Sequence, residues 1–268
     1  MLIEYGSIMY FAYIFLALFV CLFFYFLLRK RSNIVKKTAV FLIALLNFAQ
    51  HIFKGQIYPQ YQDHFSAHLS SAYNVCAFMI LISPFVILFG TQLSKNYVTY
   101  LGTFAGMVAM VVPYWFIGKP AFNWDVYRFY ICHGLLFVSS ILPALLGLHT
   151  LQWKHCWKIG LLFFVMLALI LLNDALFIRL GLYPVENPDD LFASLSKVNP
   201  GWSMRPDAKF AWLVDIIALF TPSFFLGNNP WGVYLPILWY AIPLYFAMTA
   251  LVCAVCGLTK VVTKSLQK

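Results

Sequence analysis

Charge is scarce in this chain. Asp, Glu, Lys and Arg make up 10% of its 268 residues, against about 25% in an ordinary soluble domain. Acids are scarcer than bases, nine against eighteen. With 63% hydrophobic residues and a mean hydropathy of +0.82, a soluble core cannot hide the apolar surface, so lipid must be the solvent for much of the chain. That removes nucleic acid as the reading of the +9 net charge, since basic loops in membrane proteins set orientation. The sequence has no phosphate-binding Gly-rich loop, no G-x-S-x-G nucleophile elbow and no H-E-x-x-H. It has no internal repeat of the kind common in transporters. Nor is a disulfide framework expected. Cys21, Cys76, Cys132, Cys253 and Cys256 fall in apolar stretches and Cys156 in an expected cytosolic loop, whereas pairing needs an oxidising compartment. No cofactor is expected.

Long apolar runs are abundant. The first, Ile8 to Leu28, is long enough to span, and its basic cluster Arg29-Lys30-Arg31 follows it rather than precedes it. It therefore reads as a first helix, not a cleavable signal. Six more run Thr38–Phe53, Ser66–Gly90, Tyr97–Ile117, Val126–Leu148, Ile159–Leu180 and Val233–Gly257. The expectation is one all-α, polytopic transmembrane helical bundle over residues 1–268, with about seven spans. With the N-terminus outside and the C-terminus cytosolic, eleven of the eighteen bases and none of the nine acids fall inside, as the positive-inside rule requires. Phe210–Leu226 holds Asp215 and Pro222, and if it spanned it would put Lys260, Lys264 and Lys268 outside. It is expected to be re-entrant or interfacial within a long outer loop, 181–232. Localisation is expected to be a cell membrane, multi-pass.

Polar groups inside a membrane are costly and mark function by default. Threaded this way, four helices carry theirs in the outer half: Asn47, Gln50 and His51 on the second; His68, Ser70, Ser71 and Asn74 on the third, with Cys76 deeper; His133 on the fifth, below Tyr127 and Arg128; Asn173 and Asp174 on the sixth. A polar cavity open to the outer leaflet is expected, with the 181–232 loop as a lid. On a continuous third helix, His64, His68 and Ser71 share a face and Ser70 points away. His51 and His64 read as solvated near the interface, and His149 and His155 as surface residues. The pair His64/His68 has a spacing open to metal but no carboxylate between, so no metal site is expected. Gly102 and Gly106 form a G-x-x-x-G that marks close helix packing, and Cys253/Cys256 read as small packing residues.

Several stretches also resemble the YwaF-like family of integral membrane proteins: Ala67-His68-Leu69-Ser70, Gly106 to Pro113, Cys132-His133-Gly134-Leu135-Leu136, Asn173, and Gly227-Asn228-Asn229-Pro230-Trp231. The resemblance covers most of the chain, in the right order. It implies a relationship to a eukaryotic acyltransferase that remodels ether phospholipids, in which a thiol and a histidine pass an acyl chain from a phospholipid, through a thioester, to a lysophospholipid. The histidine matches His133. The thiol position of the eukaryotic members, just before His68, is Ala67 here, and the position used by many bacterial members is Ser70. The thiol is absent from both.

The candidate catalytic residues are therefore His133 as base with Asp174 or Asn173 as its orienting partner, His68 as a second histidine able to transfer a proton, and Ser70, Ser71 or Cys76 as nucleophile. Three functions stay open: a lipid acyl hydrolase or acyltransferase acting on membrane phospholipid or lysophospholipid; a non-catalytic lipid-binding or scaffold protein; and a small-solute transporter.

Overall fold

The computed structural model describes residues 1–58, 67–207 and 211–266. Among these residues regular structure is helical, with isolated bridges at Leu2–Pro120 and Leu226–Tyr234. Five helical segments are long and apolar enough to cross a membrane: Ile8–Leu28, Gln92–Phe116, Trp124–Leu145, Trp153–Arg179 and Leu238–Leu258. The chain divides into two compact units. The first holds the described residues of 1–65, 79–152 and 258–268; the second holds those of 66–78 and 153–257.

In the first unit, α1 (Ile8–Leu28) starts at Ser7, whose hydroxyl accepts from Tyr10 N at 3.2 Å, filling one of the donors a helix start leaves open. Its buried positions Tyr10, Ala17, Cys21, Tyr25 and Leu28 recur at helical spacing, while Phe11, Phe15, Phe19, Phe23 and Phe26 are exposed. An apolar face of that size is what a lipid-facing helix presents. Helix α2 (Asn33–Ile52) is capped by Ser32 and followed by a short α3 (Lys54–Ile57). Helix α4 (Val75–Phe89) leads to α5 (Gln92–Tyr97), a π turn at 98–102 and α6 (Thr103–Val111), which run on as one rod. Asn123 caps α7 (Trp124–Leu145), which packs against α1, α2 and α6. The N-terminus is tied down beside it: Ile3 is fully buried and its N–H donates to Lys119 O at 2.9 Å.

The expected G-x-x-x-G contact is present. A Cβ at Gly106 would stand 2.7 Å from His133 O and 2.8 Å from Phe137 N, and one at Gly102 would run into Ser140 Oγ. The two glycines let α6 and α7 approach backbone to backbone.

In the second unit, α8 (Cys156–Arg179) meets α11 (Ala241–Leu266) at another glycine. A Cβ at Gly160 would stand 2.7 Å from Thr249 Oγ1 and 3.0 Å from the Tyr245 ring. The expected long loop carries structure of its own: α9 (Leu191–Val198), capped by Asp190, and α10 (Ala211–Ala218). Leu195 and Met204 pack on Ile178 of α8. At eight residues, α10 is about 12 Å long, far short of a hydrocarbon core of about 30 Å. The Gly227–Trp231 stretch is a tight turn, in which Asn229 Nδ2 donates to Phe224 O at 2.8 Å and to Val233 O at 2.7 Å.

Three expectations about elements need correction. The third apolar stretch is not one helix from Ser66. Ala67–Ser70 form a single 3-10 turn, 71–74 are non-helical, and α4 starts at Val75. The cause is local: Ser71 N and Oγ both donate to His68 O, at 2.9 and 2.6 Å, while Asn74 Oδ1 accepts from Ala77 N at 2.8 Å. Ser and Asn side chains here satisfy backbone groups that a continuous helix would have paired. The shared face of His68 and Ser71 is thereby lost, and His64 lies outside the described residues. The last helix starts at Ala241 rather than Val233, after a 3-10 turn at Leu238–Tyr240. Cys156 opens α8 and is buried rather than sitting in a loop.

Candidate functional site

The polar side chains of the spans collect in two clusters, one in each unit. In the first unit, Asn47 Nδ2 of α2 donates to Cys132 O of α7 at 3.0 Å, Gln50 Nε2 donates to Asn47 Oδ1, and Tyr58 OH donates to Gln50 Oε1 at 2.9 Å. All three side chains are buried, so each bond stands in for water at little net cost. His51, expected to be solvated, is buried as well, because it lies on the α2 face turned toward the protein interior. Asn47, Gln50, His51 and Lys54 follow one another at intervals of three, one and three residues, which is a single helical face.

Lys54, one residue past α2's last turn at Phe53, is 2% exposed. Burial, and then the neighbouring Arg128 charge, push its ammonium down to about 7 from the ordinary lysine range. Because Arg128 lowers it, Arg128→Gln is expected to raise the Lys54 midpoint. NMR of reductively 13C-methylated protein checks this: Lys54 should titrate near neutrality in the wild type and at higher pH in the variant. An unmoved midpoint would mean that Arg128 does not act on Lys54.

His133 sits on α7 in this cluster, half-buried against the Phe129 ring at 4.3 Å. Its Nδ1 is 2.7 Å from Phe129 O. A carbonyl can only accept, so the ring proton is on Nδ1 and the Nε2 lone pair is free. Nε2 makes no hydrogen bond among the described residues. This is the tautomer a general base needs.

In the second unit, Asn173 of α8 is the hub. Its Nδ2 donates to Ser71 Oγ at 2.9 Å and to Asp174 Oδ1 at 3.0 Å. Asp174 is 1% exposed. The bond from Asn173 is its one hydrogen bond among the described residues, and no Lys, Arg or His pairs with it there. Arg179, five residues on along α8, is exposed and reaches outward as long basic side chains do. His68 is buried, with the Tyr183 ring 3.8 Å from its own and Tyr73 edge-on at 5.5 Å. Tyr183, just past the end of α8, closes the cluster against His68. Burial, and then the Asp174 charge, hold its phenol above the ordinary range.

Asn173→Ala, which strands the Asp174 carboxylate and takes one donor from Ser71 Oγ, is expected to cost about 1–3 kcal/mol. Asp174→Asn keeps the shape and removes an unpaired buried charge, so its thermal midpoint in detergent should equal or exceed that of the wild type. A large drop in the second variant would show that the carboxylate has an ionic partner.

Of the candidate nucleophiles, Ser71 commits its hydroxyl proton to the His68 carbonyl, not to an imidazole. Ser70 and Cys76 are half-buried, and Cys76 lies one residue into α4. Among the described residues no three His, Cys, Asp or Glu side chains are arranged to hold a metal ion. Sequence reasoning missed Lys54 and Tyr58, which the α2 face pattern announces, and Tyr73 and Tyr183, for which it offered no signal.

An all-helical chain with several membrane-length apolar helices, and with polar clusters built inside otherwise apolar helices, is an integral membrane protein. A model of the TMEM164 family matches residues 4–260, nearly the whole chain, and the chain belongs to that family. No curated protein and no solved structure matches it.

Proposed function

We propose that this membrane protein handles phospholipid acyl chains, by hydrolysis or transfer, at a polar site in the outer half of the bilayer, with His133 as general base. The observation that carries the reading is the free Nε2 of His133, its tautomer fixed by Phe129 O. The break before α4, in the second unit, supports on its own account a polar role within the membrane. Non-helical backbone at membrane depth is tolerated where it lines a cavity or is buried in protein, and here the break carries His68, Ser70 and Ser71. The resemblance of Cys132-His133-Gly134-Leu135-Leu136 to the YwaF-like pattern supplies the acyl chemistry. About seven spans, with the N-terminus outside and a cell-membrane location, complete the reading on the charge distribution.

A non-catalytic lipid-binding role is the second reading. It is favoured by Ala67 and Ser70 at the thiol positions and by the engaged hydroxyl of Ser71.

Bilayers holding an acyl-labelled phospholipid and a lysophospholipid separate the two. Label released as fatty acid or moved to the second lipid supports the enzyme. Saturable lipid binding without turnover across several headgroups supports the other.

A further inference from the structure

The first unit holds a second polar place, away from the cluster around His133. A cavity of about 250 Å³ lies where α2, α4, the π turn and α7 converge, and its lining includes Lys37, Lys95, Thr99, Ser140 and His149. His149 was expected at the surface, and His155 with it, but both are buried. The 147–152 segment folds back on the helix ends, and His149 Nε2 lies 3.0 Å from Thr99 Oγ1. The π turn that carries Thr99 adds a residue to the helical turn, a distortion that often marks a functional position.

Two features of this cavity call for a ligand. Lys37 and Lys95 both line it, and among the described residues neither pairs with an acid; the Lys37 ammonium donates to Leu88 O at 3.1 Å. The apolar remainder, Val86, Ile87, Val98, Pro143 and Leu148, gives a glyceryl or acyl stem somewhere to lie. His149 adds no charge: burial, and then Lys95, hold it down to about 4.

We infer that this cavity binds a phosphate monoester, carried on a lipid headgroup or on a small soluble ester, through the Lys37 and Lys95 ammonium groups. The inference does not rest on the acyl-handling reading of the His133 site.

The test is calorimetric titration of the purified full-length protein in detergent with three probes: inorganic phosphate, dihexanoyl phosphatidic acid, and dihexanoyl phosphatidylcholine below its micelle concentration. Saturable binding of phosphatidic acid is expected, weakened at least about tenfold in Lys37→Gln and in Lys95→Gln. It should be unchanged in Lys154→Gln, whose lysine is outside the cavity, and retained in Lys95→Arg. Phosphate binding as tightly as the lipid assigns a soluble ester; a lipid advantage of about tenfold or more assigns the headgroup. Should the glutamine variants not fold, salt gives a test on the wild type alone, since pairing with two ammonium groups must weaken as ionic strength rises. Absence of saturable binding, binding indifferent to salt or to both glutamine changes, or equal binding of phosphatidylcholine would overturn the assignment.

Discussion

Gly106→Leu is expected to leave no folded protein, and Gly106→Ala to cost about 1–3 kcal/mol through overpacking, read as loss of monodisperse protein and a lowered thermal midpoint in detergent. In an isolated helix the alanine change would stabilise by about 1 kcal/mol, so a loss here has to come from the neighbour. That neighbour is backbone: the added Cβ meets His133 O at 2.7 Å and Phe137 N at 2.8 Å. Neither atom can move unless α6 and α7 separate, and α7 is the helix against which α1, α2 and α6 all pack. Gly102→Ala is the informative comparison. Its new methyl collides with Ser140 Oγ, a nearer contact but with a hydroxyl that makes no hydrogen bond among the described residues and can rotate away, which leaves Ser140 Cβ at 2.9 Å, farther than either backbone atom at Gly106. Gly102→Ala should therefore be the milder change, although its clash is the closer one. The reverse order would place the tight contact at the other end of the α6–α7 seam.

The helices that sequence reasoning placed well are those where apolar length alone decides. Ile8–Leu28 was read with the bounds the structure has, and the α7 and α8 stretches were found within a few residues. A run of about 20 apolar residues has no other stable form in lipid, because the backbone must pair with itself. The Gly102/Gly106 seam was legible for a related reason, since small residues four apart have little use except close approach.

What failed was local competition. Hydropathy carries smoothly through Ser66–Gly90, but Ser71 and Asn74 take backbone partners and stop the helix short. The cap was readable, since Asn followed by an apolar run is a start signal; the long apolar stretch masked it. The site divides in the same way. Depth along a helix foretold that Ser71, Asn173 and Asp174 would be neighbours, and Asn173 joins them. Depth could not reveal Tyr183, which reaches His68 from a loop with no periodicity. His149 was misread because a short basic segment looks solvated in sequence, whereas its imidazole turns inward to Thr99.

His133→Asn is expected to abolish acyl turnover, by about 10²–10⁴-fold if the imidazole is the general base, while leaving the protein folded. His133 is only half-buried, and its side chain makes one hydrogen bond, to Phe129 O within its own helix. Losing that bond costs about 1 kcal/mol, and an asparagine amide can restore part of it without offering a base. The same residue's carbonyl lies against Gly106, so the α6–α7 seam fixes the helical turn from which the imidazole projects. Gly102→Ala, if it folds, should therefore lower turnover far less than His133→Asn, because it disturbs the seam at Ser140, about two turns along α7 from the imidazole. Turnover measured on both variants at matched thermal midpoints distinguishes a lost base from a loosened helix. Equal turnover in wild type and His133→Asn would remove the base from the mechanism, and the polar cluster of α2 and α7 would then stand as a lipid-binding surface in which Asn47, Gln50 and Tyr58 hold the helices together.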